Sequence, residues 1–188
     1  FMKSIVRKAT AVGLAAAMAI GSMALSPVKG SQNVMLGNGD FETGTADEWN
    51  LSWDSATVSV DQYASNNTTF TLTLPWYEAD TEVSASYTTG TLDAGTYKVS
   101  LDISGAEMNS GLKLSVNAAD GTQLYTSDAI TTTGWDAWQT VTSDEIVLDA
   151  QGTVTVTLGG TETATYWGNI DNLVIEKTDG DTEEADTT

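Results

Sequence analysis

The 188-residue sequence contains no cysteine and no histidine. The first absence removes disulfides, thiolate metal sites and a cysteine nucleophile. The second removes Ser-His-Asp hydrolysis and the common zinc chemistries. Positive charge is scarce: seven Lys and Arg stand against 26 Asp and Glu, a formal net charge of −19. Phosphate binding is driven by Lys and Arg, so this balance argues against a nucleic-acid partner. Proline occurs only twice. The length allows one domain and falls short of the roughly 250 residues of a (β/α)8 barrel. Hydrophobic residues make up 40% of the chain, so a core can be buried and disorder throughout is not expected.

The charge divides the chain into three. Residues 1–30 carry Lys3, Arg7, Lys8 and Lys29 and no acid. Lys3, Arg7 and Lys8 form a positive n-region, Ala11 to Ile20 an apolar stretch, and Ser22-Met23-Ala24 a small-x-small cleavage pattern; together they read as a secretory signal peptide. Met2 looks like the initiator, with Phe1 an addition before it. The apolar run is shorter than the ~20 residues of a membrane span, and a lipoprotein anchor lacks its cysteine. The expected location is secreted and extracellular, with no membrane attachment after cleavage; export without disulfides suggests a bacterial source. Residues 178–188 carry five acids, no base and no apolar residue larger than Ala. Such a segment does not pack and extends by self-repulsion. It is either a frayed terminus or a linker to a further domain.

The middle, 31–177, reads as all-β. Thr is abundant, thirty in the whole chain. Apolar and polar residues alternate in Phe70–Leu74, Val83–Tyr87, Tyr97–Ile103, Leu112–Val116 and Thr153–Leu158. Period-2 alternation puts one face on a core and the other in water. Ala94-Gly95, Asn109-Ser110-Gly111, Asp120-Gly121 and Gly159-Gly160 read as turns between the runs. About ten short strands at this spacing predict an antiparallel β-sandwich of the jelly-roll type. The fold alone does not settle function.

Catalytic signatures are absent. Glycosidases need two carboxylates about 5–9.5 Å apart across a cleft. Asp47-Glu48, Asp144-Glu145 and Glu78/Asp80 all read as solvated charges. Ser110-Gly-Leu-Lys113 matches Ser-x-x-Lys, but without its companion motifs it is coincidence. No glycine-rich loop precedes a helix.

Two constellations remain. Asn38-Gly-Asp-Phe-Glu42 stands near the start of the domain, and Asp171 stands on its last strand. First and last strands commonly adjoin in a jelly roll, which would gather Glu42, Asp171 and Asp40. An all-oxygen set of this kind suits Ca2+; surface charges or turn formers are the other reading. The second constellation is aromatic, with six Trp and six Tyr. Flat rings pack on the C–H faces of sugars, and Trp and Tyr add a polar tip. Phe41, Phe70, Tyr87 and Tyr97 lie on the apolar phase of strands and are expected in the core, as is Trp49. Trp138 is ambiguous. Trp76 and Tyr77 follow Pro75 in a loop; Trp53, Trp135 and Tyr166-Trp167 have polar or glycine neighbours. These settings favour exposure, making Trp76, Tyr77, Trp53, Trp135 and Trp167 the candidate carbohydrate contacts.

Asn38-Gly-Asp-Phe-Glu-Thr-Gly44 with Trp49 resembles the opening of galactose-binding-like β-sandwich carbohydrate-binding modules. Leu92-Asp-Ala-Gly-Thr-Tyr-Lys-Val-Ser-Leu101 resembles their central strand, and Tyr166-Trp-Gly-Asn-Ile-Asp-Asn-Leu173 their closing strand. With Trp76-x3-Asp80-x-Glu82, the pattern is most similar to family 61, whose modules accompany glycoside hydrolase family 53 endo-β-1,4-galactanases and bind β-1,4-galactan. Families 4, 9, 22 and 35 share the opening and closing motifs. The resemblance covers most of 33–177. It implies a jelly roll with a structural Ca2+ on Glu42 and Asp171, to which Asp40 adds its carbonyl. Asn172 stands where a second Asp often follows. It also implies a non-enzymatic targeting module linked to a polysaccharide hydrolase, which favours the linker reading of 178–188. Alternative classes are a structural or adhesive surface domain, a module for xylan or β-glucan, and a small glycanase.

Overall fold

A computed structural model describes residues 32–53, 57–60 and 70–178, with the main chain alone at 57–60, Trp135 and Asp136. The expected signal peptide and the acidic tail from Asp179 onward lie outside the described residues. Thr178, assigned to the tail by composition, is the last residue of the final strand.

Twelve strands are present among the described residues: β1 (Gln32–Asn33), β2 (Trp49–Leu51), β3 (Thr57–Val60), β4 (Phe70–Thr73), β5 (Thr81–Thr88), β6 (Gly95–Asn109), β7 (Leu112–Ala118), β8 (Gln123–Thr126), β9 (Thr131–Thr142), β10 (Ile146–Leu148), β11 (Val154–Glu162) and β12 (Gly168–Thr178). They form two antiparallel sheets. One is ordered β10-β6-β12-β4-β3, with β1 on β12 and β9 on β6; the other is β2-β5-β11-β7-β8. The first and last strands pair as expected, Asn33 opposite Glu176. The all-β sandwich predicted from alternation is the fold observed.

Each alternating run supplies one inward row. Leu72, Ile103, Leu101, Val99, Ile170 and Ile175 face Val83, Ala85, Leu114, Val116, Val156 and Leu158 across one buried core. Burying each such Val, Leu or Ile side chain contributes about 1.5–3 kcal/mol. Phe41, Trp49, Tyr87 and Tyr97 are buried as expected, while Phe70 is half-buried against the core. The Asn109–Gly111 and Asp120–Gly121 turns fall between strands.

Gly159-Gly160 does not. Both glycines lie inside β11, Gly160 opposite Val83 on β5 and Leu112 on β7. They permit close approach of flanking main chains: a Cβ on Gly159 would come 2.9 Å from Val83 O, and one on Gly160 2.9 Å from Gly111 O. β11 therefore runs on to Glu162.

The opening motif is a folded loop rather than an open site. Asn38 is buried at its centre. Its Nδ2 donates to Thr45 O (2.9 Å) and Asp47 O (3.0 Å), its Oδ1 accepts from the Thr43 hydroxyl, and its own O accepts from Trp49 Nε1. Phe41 stacks on Trp49 at 4.9 Å, and Trp49 meets Tyr87 edge-on at 5.5 Å.

Candidate carbohydrate-binding end

One end of the sandwich gathers most of the candidate aromatics. β4 leads into a loop at 74–80, and β11 reaches β12 through 163–167. The two loops are cross-linked. Leu74 N donates to Gly168 O (2.9 Å), Thr165 N to Tyr77 O (2.8 Å) and Ala164 N to Asp80 Oδ1 (2.8 Å). Pro75-Trp76-Tyr77 thus lies alongside Thr165–Gly168, bringing Trp76 and Trp167 onto neighbouring segments. Trp76 is 54% exposed and Trp167 38%. They are the two exposed large aromatics among the described residues, as the sequence led one to expect.

Tyr166 corrects that expectation, being fully buried. Its seat is a pair of glycines, Gly105 and Gly168, opposite one another on β6 and β12; Gly134 on β9 stands next in register. A Cβ on Gly105 would stand 2.4 Å from Tyr166 Oη, and one on Gly168 2.8 Å from it. The Thr132 hydroxyl donates to Tyr166 Oη, and burial pushes the phenol up to about 12. Beside it, Ala106 N donates to Trp167 O at 3.0 Å. The ring of Tyr166 therefore holds a loop whose next residue presents Trp167 outward.

Tyr77 and Trp53 depart from full exposure. Both are half-buried and packed on the core. Ser52 N donates to Ser84 O and Ser84 N to Ser52 Oγ, extending the β2–β5 pairing so that Trp53 reaches this same end, near the start of β5. Its Nε1 is buried without a hydrogen-bond partner. Trp135 follows Gly134, which pairs with Gly105, so its main chain is at this end; its side chain lies outside the described residues. Trp138 is half-buried.

The expected metal ligands are neighbours in part. Leu173 N donates to Gly39 O, which sets the 38–42 loop against the β12 bulge between Asp171 and Val174. Asp171 is fully buried, and its Oδ1 accepts from Asn172 N at 2.7 Å. Asp40 lines a shallow groove with Asn172, Leu173 and Val174, and its Oδ1 accepts from Glu42 N. Glu42 is exposed and its Oε1 accepts from Phe70 N at 3.0 Å. Among the described residues, no three Asp or Glu side chains converge on one point. Ca2+ takes about six to eight oxygen donors; the structure offers one buried carboxylate, Asp171, on the strand to which the 38–42 loop is bonded.

One residue escaped the sequence reading. Glu162 ends β11 only 1% exposed, with no hydrogen-bond partner on either carboxylate oxygen. Burial raises its carboxyl to about 7. The alternation of Val154, Val156, Leu158 and Gly160 points Glu162 inward; reading Gly159-Gly160 as a turn hid this continuation.

The fold and its aromatic end define a class: a two-sheet sandwich of the kind found in carbohydrate-binding modules. No family model and no curated protein matches the chain. Among solved structures it is similar to TmCBM61 in complex with β-1,4-galactotriose, at 24% identity and a TM-score of 0.58, over 76% of this chain and 97% of that one. It is similar also to the CBM22-1 xylan-binding domain from Paenibacillus barcinonensis Xyn10C (14%, 0.54, over 75% and 92%). A cyclase from Fischerella sp. TAU shares the architecture (12%, 0.63, over 79% and 98%). At these identities the likeness is one of fold.

Proposed function

We propose that the chain is a non-catalytic carbohydrate-binding module that holds a secreted polysaccharide hydrolase on β-1,4-galactan or a related galactose-containing polymer. The carrying observation is the pair Trp76 and Trp167, exposed on cross-linked loops at one end of the sandwich. Galactose rings would stack their C–H faces on these indoles, with exposed polar groups such as Glu78 bonding hydroxyls. Stacking on rings already set in place by the hydrogen-bonded loops lowers the ordering cost of binding. Tethering to a hydrolase would raise its effective concentration at the polymer. The choice of galactan over xylan is supported by the galactotriose-bound module among the similar structures, together with the Trp76-x3-Asp80-x-Glu82 pattern. The acidic surface suits a neutral glycan.

Affinity electrophoresis in gels containing galactan, arabinogalactan, xylan, β-glucan or mannan tests this. Galactan is expected to retard the chain, and Trp76→Ala to lose at least about tenfold in affinity with its melting temperature kept, as a half-exposed ring contributes little to the core. Retardation by xylan or β-glucan alone would reassign the ligand, and retardation by none would discard the module reading.

For calcium, the proposed holders are Asp171 and Glu42 with main-chain oxygens of the 38–42 loop, Asp40 included. The ion would supply charge compensation for a buried carboxylate. EDTA should lower the melting temperature and added CaCl2 restore it. A melting temperature indifferent to both would remove the ion from the account.

A further inference from the structure

We propose that Glu162 is a positioning residue for the aromatic end: protonated, it holds the 163–167 loop closed against the 74–80 loop, and ionised, it lets that loop open. The inference rests on the proposed function only in its glycan arm.

The geometry carries it. Glu162 is the last residue of β11, and the next four residues make the contacts that assemble the end. Thr163 N donates to Ser110 O (2.9 Å), Ala164 N to Asp80 Oδ1 (2.8 Å), Thr165 N to Tyr77 O (2.8 Å) and Tyr166 N to Thr163 O (3.0 Å). Thr165 holds this path at a positive φ of 64°. A β-branched residue seldom adopts that conformation, so the closed loop is kept against its own backbone preference. Directly before this loop stands a carboxyl with no partner on either oxygen, 1% exposed and on the inward phase of the strand. A neutral carboxyl tolerates such a place far better than a carboxylate does. The least disruptive route to solvating the charge is to lift the loop that begins at the next residue.

Among the described residues, the surroundings offer the charge no compensation. Across the interior the titratable neighbour is Tyr166, neutral and itself raised by burial and by Glu162. On the 74–80 loop, Glu78 and Asp80 are exposed, and Asp80 is bonded to Ala164 N. On β5, Glu82 is exposed and accepts from the Thr161 hydroxyl. On β6, Glu107 is exposed, as is Lys113 on β7. At the start of β9, Thr131–Gly134 carries no titratable group. The sequence contains no histidine or cysteine, so no such side chain titrates near neutrality in competition with Glu162.

Amide hydrogen exchange reads this directly, because protection reports local opening free energy. In the chain as it stands, protection at Thr163–Tyr166, corrected for intrinsic exchange, should fall at least about tenfold between pH 5 and pH 7.5. The limiting slope is about tenfold per pH unit, the linkage of one proton. Central β6 and β12 amides should not follow. In Glu162→Gln, isosteric with the protonated form, protection should be high and independent of pH; Glu162→Met serves as a second variant should Gln misfold. A profile that is flat in the wild type, or that persists in a folded variant, overturns the proposal. The second arm is β-1,4-galactotriose affinity at pH 5.5 and pH 8, expected to weaken at the higher pH only with Glu162 present. If the chain binds no glycan at either pH, the proposed function falls while the exchange arm still decides the role of Glu162.

Discussion

At the residue scale, polar side chains shape this molecule as much as apolar ones. Asn38 satisfies three partners with one buried amide, and those bonds close the 38–47 loop around the Phe41–Trp49 stack. Asn38→Ala is expected to cost roughly 2–4 kcal/mol, because the carbonyls of Thr45 and Asp47 lose their donor. Urea unfolding followed by Trp fluorescence would check it, and a loss below about 1 kcal/mol would show that water replaces the amide. The motif was legible in the sequence, but not its work. The acids of Asn38-Gly-Asp-Phe-Glu are conspicuous in the sequence; the amide beside them, which does much of the structural bonding, is not.

At the element scale, glycine decides which aromatic is buried. Tyr166 and Trp167 are adjacent and share a polar setting, and alternation cannot rank them within a loop. The paired Gly105 and Gly168 remove two side chains from one strip of sheet and leave room for the Tyr166 ring. Gly105→Ala would drive a methyl against Tyr166 Oη and Trp167 O, the second a main-chain atom that cannot rotate away. A loss of about 1–3 kcal/mol is expected, together with weaker glycan retention as the loop is displaced. Adding Tyr166→Phe removes the nearest of the three clashing atoms, so the double variant should recover part of the loss. Calorimetric melting of the four proteins in that cycle gives the coupling; strict additivity would rule out the seat described for Tyr166.

At the scale of the whole molecule, Glu162 links folding to pH with a definite sign. The folded state holds its proton up to about pH 7, whereas the unstrained carboxyl releases it near 4.5. Between those values the folded chain binds more protons than the unfolded one, so its contribution is fully present below about pH 4.5 and is lost as pH rises to about 7. The amount is on the order of 3 kcal/mol. Denaturation at pH 5 and pH 8 should therefore show the wild type gaining less, or losing more, with rising pH than Glu162→Gln does. Identical pH dependences would mean that Glu162 is solvated in the native state.

The all-β class and most of the strands were legible before any packing was known, because period-2 alternation is a local pattern and each run buries its own apolar row. Loop position beside polar or glycine neighbours pointed to Trp76 and Trp167, but the same signal covered Tyr166, Tyr77 and Trp53, and only the packing separates them. Tertiary structure decided the rest. Whether a Gly-Gly pair turns the chain or lets two strands press against a third depends on what lies alongside, and Gly159-Gly160 has Val83 O and Gly111 O there. From that follow the length of β11 and the burial of Glu162. The meeting of Trp76 with Trp167 is likewise a product of register: Leu74 on Gly168, Tyr77 on Thr165. Hydrogen bonds between segments some ninety residues apart leave no trace in the composition of either, and only the packed sheets bring them together.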